Sequence, residues 1–357
     1  MKVLTVIGAR PQFIKAAPLS RALRTRHREV LVHTGQHYDH DMSRRFFREM
    51  RIPAPDHNLG VGSGTHAQQT GAMMVRLEEL MVRERPDAIV IFGDTNSTAA
   101  AALSAAKLGI PIAHVEAGMR SFNRAMPEEV NRVVADHVAT LRFCSTPAAV
   151  RHLRNEGIVS GVFLTGDIMA DALRLLLPGP ERIARILRRR RLEPGHYVFV
   201  TIHRAENTDR RENLRQIAGA LIGCGRQVVF PVHPRTRGCL ERFGLLDRLA
   251  GSPDIALIPP VGYAESLALQ SGAHAVLTDS GGLQKEAYLL RTPCVTARTE
   301  TEWTETVASG WNTVTGPRRD AIIAALRRIA VPRRHPAFYG RGDAAGRIVR
   351  HMERALG

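Results

Sequence analysis

Cysteine is scarce and widely scattered. The 357 residues hold four, Cys144, Cys224, Cys239 and Cys294, with no CxxC pair and no metal-ligand spacing. This excludes a disulfide framework and leaves a reduced, cytoplasmic protein with unpaired thiols as the expectation. Aromatic residues make up 5%, too few for the stacking platforms of a nucleic-acid binder. That scarcity weighs against a nucleic-acid role even though the formal net charge is +16. The cations are spread along the chain, and the one dense run, residues 188–191 in RILRRRRLEPG, ends a helical stretch where positive charge suits the dipole. Lysine is also rare: Lys2, Lys15, Lys107 and Lys285 are the only four among 50 basic residues. An acidic small substrate would benefit from the same positive field.

No window is apolar over the length of a membrane span. The opening MKVLTVIGARPQ is too short an apolar run for a signal peptide, and Arg10 interrupts it. There is no GxGxxG and no GxxxxGK[ST]; the first turn, GARPQF, lacks the glycines that a dinucleotide pyrophosphate requires. A nicotinamide is therefore not expected, and neither is any other cofactor. The stretch VHTGQHYDHD offers His33, His37, Asp39, His40 and Asp41, which resembles a metal site in composition only, because no HExxH or comparable spacing appears. No bound metal is expected. Short-period repeats and low-complexity tracts are absent as well.

What is present is an alternation. VLTVIG (3–8), VLVHTG (30–35), AIVIFG (88–93), IPIAHVEAG, RFCST (142–146) and VFLTG (162–166) alternate with helical stretches, and a hydrophobic fraction of 44% can fill a core. Continuous apolar strands between helices indicate parallel sheets covered on both faces. After the Arg-rich, Pro-containing segment 178–195 a second series begins: YVFVTIH, QVVFPVH, IALIPP, AVLTDSG and PCVTA. The pattern predicts an α/β protein with two Rossmann-like domains facing across a cleft. The first covers 1–167 and the second 168–340, with a last helix near 341–357 returning to the first. In open parallel sheets ligands bind beyond the carboxyl ends of the strands. GARPQ, TGQHYDHD, GDTNST, HVEAG, HRAEN, PVHPRT and DSGGLQKEA all fall at such ends.

TDSGGLQKEA (278–287) carries the clearest phosphate signal. Ser280, Gly281 and Gly282 would present backbone N–H groups at a helix N-terminus, although a capping serine and a tight turn explain the same residues. Arg10, His203 and Arg204 add donors for a diphosphate. Three acids form a second group. Asp94 precedes a helix and reads equally as an N-cap. Glu116 ends a strand, where a buried charge needs a partner. Glu128 follows Pro127 and reads equally as a complement to the helix dipole. Together they fall on one side of one sheet, where clustered carboxylates become candidate proton acceptors and donors. Lys15 could pair with one of them or with a phosphate. Glu129, beside Glu128 but pointing elsewhere on the helix, reads as structural.

Taken in order, GARPQFIKAAPL, TGQHYD, GDTNSTAAAA, AHVEAGMRSFNRAMPEEVNR, TIHRAEN, PVHPRT and TDSGGLQKEA resemble the bacterial non-hydrolysing UDP-N-acetylglucosamine 2-epimerases over nearly the whole chain. The resemblance implies a fold like that of nucleotide-sugar glycosyltransferases (GT-B-like), a homodimer, and UDP between the domains. It implies that Arg10, Ser280, Gly281, Gly282 and Glu286 hold UDP, the last through the ribose, with His203 against the diphosphate. Arg132, Arg204, Asn207 and His233, within the matching motifs, would join the substrate-binding set. Asp94, Glu116 and Glu128 would be the acid–base groups, supported by Lys15.

The implied chemistry is cofactor-free. UDP leaves C1 as the C2 proton is removed, a 2-acetamidoglucal forms, and UDP adds back as a proton reaches the other face of C2. Two departures stand out. GSGTHAQQTG lacks the arginine with which the best-known members bind a second, activating UDP-sugar, and RTETEW puts Trp303 where they usually carry arginine. The latter resembles relatives acting on UDP-2,3-diacetamido-glucuronate, which remains an alternative substrate. A variant releasing ManNAc and UDP, a glycosyltransferase of the same fold and a non-enzymatic nucleotide-binding module are the other readings.

Overall fold

The computed structural model describes residues 1–36, 50 and 52–357, with Arg10 represented by its backbone. His37, Asp39, His40 and Asp41 lie outside the described residues. The chain divides into two compact units, Met1–Leu176 with Ala337–Gly357, and Leu177–Pro336.

In the first unit seven strands form one sheet: β1 (Lys2–Ile7), β2 (Arg28–His33), β3 (His57–Asn58), β4 (Ala88–Phe92), β5 (Ile112–Ala117), β6 (Leu141–Cys144) and β7 (Val162–Leu164). Their order is β3-β2-β1-β4-β5-β6-β7, and every pairing is parallel. All five residues of β4 are buried, as an unbroken apolar strand covered on both faces requires. Leu4, Val6, Val32, Ile89 and Ile91 pack against Met73 and Leu77 of helix His66–Glu84 and against alanines of helix Asn96–Lys107.

The helix Ile168–Leu176, assigned by sequence to the second domain, belongs to the first unit. Its Asp171 carboxylate accepts the N–H groups of Ala344 and Ala345 at 3.1 and 3.0 Å. It thereby satisfies the open N-terminus of the last helix, Ala344–Leu356. Both helices pack on helix Arg10–Leu23. The boundary therefore follows this helix instead of preceding it.

The second unit repeats the plan with β8 (Tyr197–Thr201), β9 (Gln227–Pro231), β10 (Ile255–Ile258), β11 (Ala275–Thr278), β12 (Cys294–Thr296) and β13 (Asn312–Val314). Their order is β10-β9-β8-β11-β12-β13, again all parallel. Val198, Val200, Val228, Phe230 and Leu277 fill one face with Leu214, Ile217 and Leu221. Tyr197, Phe199 and Val276 meet Leu187 and Leu269 on the other. In each sheet the strand order reverses once, at β1/β4 and at β8/β11, the place where such sheets bind ligands.

The sequence pattern did not reveal β3 and β13. Both are short edge strands, and His57–Asn58 and Asn312–Val314 carry little apolar signal. All four cysteines are free and buried, and burial pushes the Cys144 and Cys294 thiols up to about 12. Among the described residues no helix is long and apolar enough to cross a membrane.

Candidate active site

At the switch point of the first sheet one buried side chain crosses between two loops. Gln12, in the first turn of helix Arg10–Leu23, accepts the N–H groups of Gly8 and Ala9 at 2.8 and 3.1 Å. Its amide nitrogen donates to Phe92 O at 2.9 Å and Thr95 Oγ1 at 3.0 Å. The GARPQ and GDTNST loops are thereby locked together. Thr95, not Asp94, caps helix Asn96–Lys107, its hydroxyl accepting Thr98 N–H. Asp94 is thus released from the capping role that sequence left open. Its carboxylate pairs with Arg132 Nη2.

Glu116 stands at the end of β5 with φ 69°, left-handed backbone that a residue with a Cβ rarely adopts. The register of β5 against β6 shifts between Val115 and Ala117, so the bulge turns the Glu116 side chain out of the sheet's alternation. Its carboxylate meets Lys15 Nζ from helix Arg10–Leu23. A Cβ on Gly93 (φ 61°) would sit 3.4 Å from both Glu116 Oε2 and Lys15 Nζ, so Glu116 and the residue preceding Asp94 are neighbours. Asp94 and Glu116 each pair with a cation, Arg132 and Lys15 in that order.

Glu128 opens helix Pro127–Val138 and is exposed. Positions three and four residues on share its helix face, and these are Asn131 and Arg132. Asn131 Nδ2 donates to Asp94 O at 3.0 Å, and Arg132 pairs with the Asp94 carboxylate. The first unit therefore assembles Lys15, Asp94, Glu116 and Arg132 around the ends of β4 and β5, with Glu128 on the helix face that carries Asn131 and Arg132. Glu129 is buried and does different work. It accepts from Ser121 N–H and Oγ and from Phe122 N–H, each at 2.9 Å, and from Arg132 Nη1 at 3.0 Å. Burial opposes its ionisation, yet these hydrogen bonds and the guanidinium outweigh that and hold its carboxyl below the usual glutamate range. It fixes the loop 121–122, where Phe122 also has a positive φ of 58°.

Beneath this group lies a pair that sequence reading did not single out. Asp136 accepts from His114 Nδ1 at 2.8 Å, Gly118 N–H at 3.0 Å and Arg120 Nη1 at 2.6 Å. Burial raises its carboxyl, and the interactions with His114 and Arg120 more than offset this, leaving it below the usual aspartate range. The His33 ring stacks on Phe13, and its Nδ1 accepts Gly35 N–H. No cluster of metal-ligating side chains occurs among the described residues.

The second unit has a matching bridge at β8/β11. Asp279, fully buried, accepts His203 N–H at 3.0 Å, Arg204 N–H at 3.0 Å and Asn207 Nδ2 at 3.0 Å. The HRAEN loop is held against the DSGG turn by this one carboxylate, which sequence reading quoted but did not assign. Asn207 is buried and also donates to Ala297 O at 3.0 Å, so its amide hydrogens hold the loop in place. The His203 and His233 rings lie with centroids 6.3 Å apart, and Arg204 and His233 are exposed.

Ser280 occupies the N-cap of helix Gly281–Leu289, yet its hydroxyl makes no capping hydrogen bond. The N–H groups of Gly281 and Gly282 sit in the first turn, where helices leave donors open. Trp303 Nε1 donates to Gly281 O at 2.8 Å, and Lys285 Nζ lies 4.3 Å from the Trp303 ring centroid. The position that departs from the best-known family members thus abuts the DSGG turn. Glu286 is buried and accepts Tyr263 OH at 3.1 Å and Gln270 Nε2 at 2.9 Å. The Arg10 side chain lies outside the described residues.

The family model for UDP-N-acetylglucosamine 2-epimerase matches residues 21–353. A UDP-N-acetylglucosamine 2-epimerase homolog of Methanococcus maripaludis is 47% identical, with 98% of each chain covered. The UDP-2,3-diacetamido-2,3-dideoxy-D-glucuronate 2-epimerase of Pseudomonas aeruginosa is 42% identical, with 99% of each covered. The crystal structure of Methanocaldococcus jannaschii UDP-GlcNAc 2-epimerase in complex with UDP-GlcNAc and UDP superposes with a TM-score of 0.88 at 38% identity, over 99% of this chain and 100% of that one. With two parallel Rossmann-like sheets, a GT-B-like fold and a family match over nearly its full length, this chain belongs to the UDP-N-acetylglucosamine 2-epimerase family.

Proposed function

We propose that this enzyme interconverts UDP-GlcNAc and UDP-ManNAc by inverting C2 without a cofactor. Two observations support the reading, one in each unit: cation-held carboxylates at the ends of β4 and β5 in the first, and a helix N-terminus without a side-chain cap after β11 in the second. Gly281 and Gly282 N–H groups, Ser280, His203, Arg204 and His233 bind the UDP diphosphate, and Glu286 holds the ribose. Asn207 and Asp279 keep that loop in place.

The C2 hydrogen is not next to a carbonyl, so its removal requires positive character at C1. The C1–O bond breaks with its electron pair passing to the β-phosphate oxygen, whose charge the held donors stabilise. One carboxylate takes the C2 proton and the 2-acetamidoglucal forms. UDP oxygen then attacks C1 while a second acid delivers a proton to the opposite face of C2. Asp94, Glu116 and Glu128 supply these groups, with Lys15 and Arg132 holding the first two. The route is redox-neutral, consistent with a first turn that lacks dinucleotide glycines.

A second substrate has a specific observation behind it. Trp303, against Gly281 and Lys285, coincides with 42% identity to the diacetamido-glucuronate enzyme. Incubation with UDP-GlcNAc in heavy water, followed by NMR, tests the reading. UDP-ManNAc with deuterium at C2 is the expected product. Free ManNAc would mean hydrolysis, and inertness toward UDP-GlcNAc with turnover of the uronate would transfer the assignment to that sugar. In the same reading the enzyme acts in the cytoplasm as a homodimer. Light scattering should then give twice the chain mass of 39.3 kDa, and a monomer would contradict it.

A further inference from the structure

Beneath the β4 and β5 loops begins a chain of polar and ionic side chains that runs from buried His114 and Asp136 to exposed Glu156. His114 and Asp136 are both fully buried. Nδ1 of His114 lies 2.8 Å from Asp136 Oδ1, and Nε2 lies 2.8 Å from Gly93 O. Carboxylate and carbonyl oxygens only accept, so the fold presents an acceptor to each of the two ring nitrogens. Asp136 Oδ2 accepts from Gly118 N–H and Arg120 Nη1. Arg120 in turn grips Glu156 with Nε at 2.6 Å and Nη2 at 2.7 Å. Charge alternates from Asp136 through Arg120 to Glu156, which compensates the cost of burying the Asp136 carboxylate.

These contacts bracket Glu116. Residues 114, 118 and 120, two before it and two and four after it, converge on one carboxylate. Gly93 is held twice by β5, its N–H donating to Val115 O at 3.0 Å and its carbonyl accepting from His114. Asp94 follows directly. A left-handed φ on a non-glycine residue persists only where the surroundings hold it, and here the surroundings include this network.

We propose that His114 and Asp136 are a positioning pair that fixes the Gly93–Asp94 turn and the left-handed Glu116 in the one relative placement from which both carboxylates serve the same C2 carbon. The pair touches no reacting atom. The proposal rests on the reading of Asp94 and Glu116 as acid–base groups.

A purely stabilising network would behave differently from a positioning one. Glu29 provides the matched control: it is buried in the same unit, on β2, and accepts from Thr5 Oγ1 at 2.8 Å, from Ser20 and from Arg24 Nε at 2.6 Å. Asp136→Asn should lower kcat about 100-fold while KM and UDP affinity stay within about twofold. Glu29→Gln should lose comparable thermal stability and keep kcat within about twofold. Unchanged kcat in Asp136→Asn, or an equal kcat loss in Glu29→Gln, would overturn the positioning role. Should Asp136→Asn not fold, nitrogen NMR of the wild-type ring decides: two protonated nitrogens at neutral pH support the double anchor, and one bare nitrogen refutes it. A wild-type protein that binds UDP but never exchanges the C2 hydrogen would refute the assigned reaction instead, and the ring measurement would still judge the pair.

Discussion

Replacing Glu116 with glutamine lowers kcat about a thousandfold and leaves UDP affinity within about twofold. Glutamine keeps the shape of the side chain and the same backbone requirement, so the left-handed turn at φ 69° is neither relieved nor worsened. What disappears is the ability to accept or deliver a proton. Lys15 also loses its ionic partner, and that loss is local to the first unit. The HRAEN loop and the DSGG turn, to which we assign UDP binding, belong to the second unit, so affinity measured by calorimetry should hold. Shortening the residue with Glu116→Asp should cost about 100-fold in kcat, because displacement by a methylene length is enough to spoil proton transfer. A Glu116→Gln variant with near wild-type turnover would remove Glu116 from the chemistry.

Asp279→Ala acts on the opposite property. The carboxylate is fully buried and serves three donors, His203 N–H, Arg204 N–H and Asn207 Nδ2. Its removal leaves these groups without their acceptor. The expected destabilisation is about 3–5 kcal/mol, read as a lower midpoint in urea unfolding. Because the same carboxylate ties the HRAEN loop to the DSGG turn, UDP affinity should fall by about 10- to 100-fold. Loss of stability with unchanged UDP affinity would show that the loop is not part of the nucleotide site.

The two variants probe features that differ in how openly the sequence displays them. Eleven apolar runs announced the strands, and the loops at their carboxyl ends carry the candidate residues. The two strands that escaped notice, β3 and β13, are too short and polar to show a period. Asp94 read as well for a cap as for chemistry, because a residue ahead of a helix carries no mark of which neighbour takes the cap. Thr95, with its hydroxyl on Thr98 N–H, settles it.

Gln12, Asp279 and His114 all lie inside motifs read as functional. Their roles were not assigned, since their partners are distant in the chain: Phe92, His203 and Asp136. One signal was available in each case, a polar residue locked into an otherwise apolar strand end or helix start, where burial demands a partner. The left-handed φ of Glu116 had no such signal, since it arises from a register shift between β5 and β6. The domain boundary was placed one helix early because Asp171 caps a helix that begins more than 170 residues later.

The account turns on the order of events at C1 and C2, with the glycosidic bond giving way so that the neighbouring hydrogen can leave. UDP-GlcNAc carrying a heavy oxygen isotope at the bridge between C1 and the β-phosphorus reports this directly. Once the bond opens, torsional freedom of the freed phosphate lets the label move to non-bridging positions before UDP re-adds. The prediction is label scrambling at least as fast as deuterium enters C2. Deuterium appearing at C2 while the label stays in the bridge would contradict it.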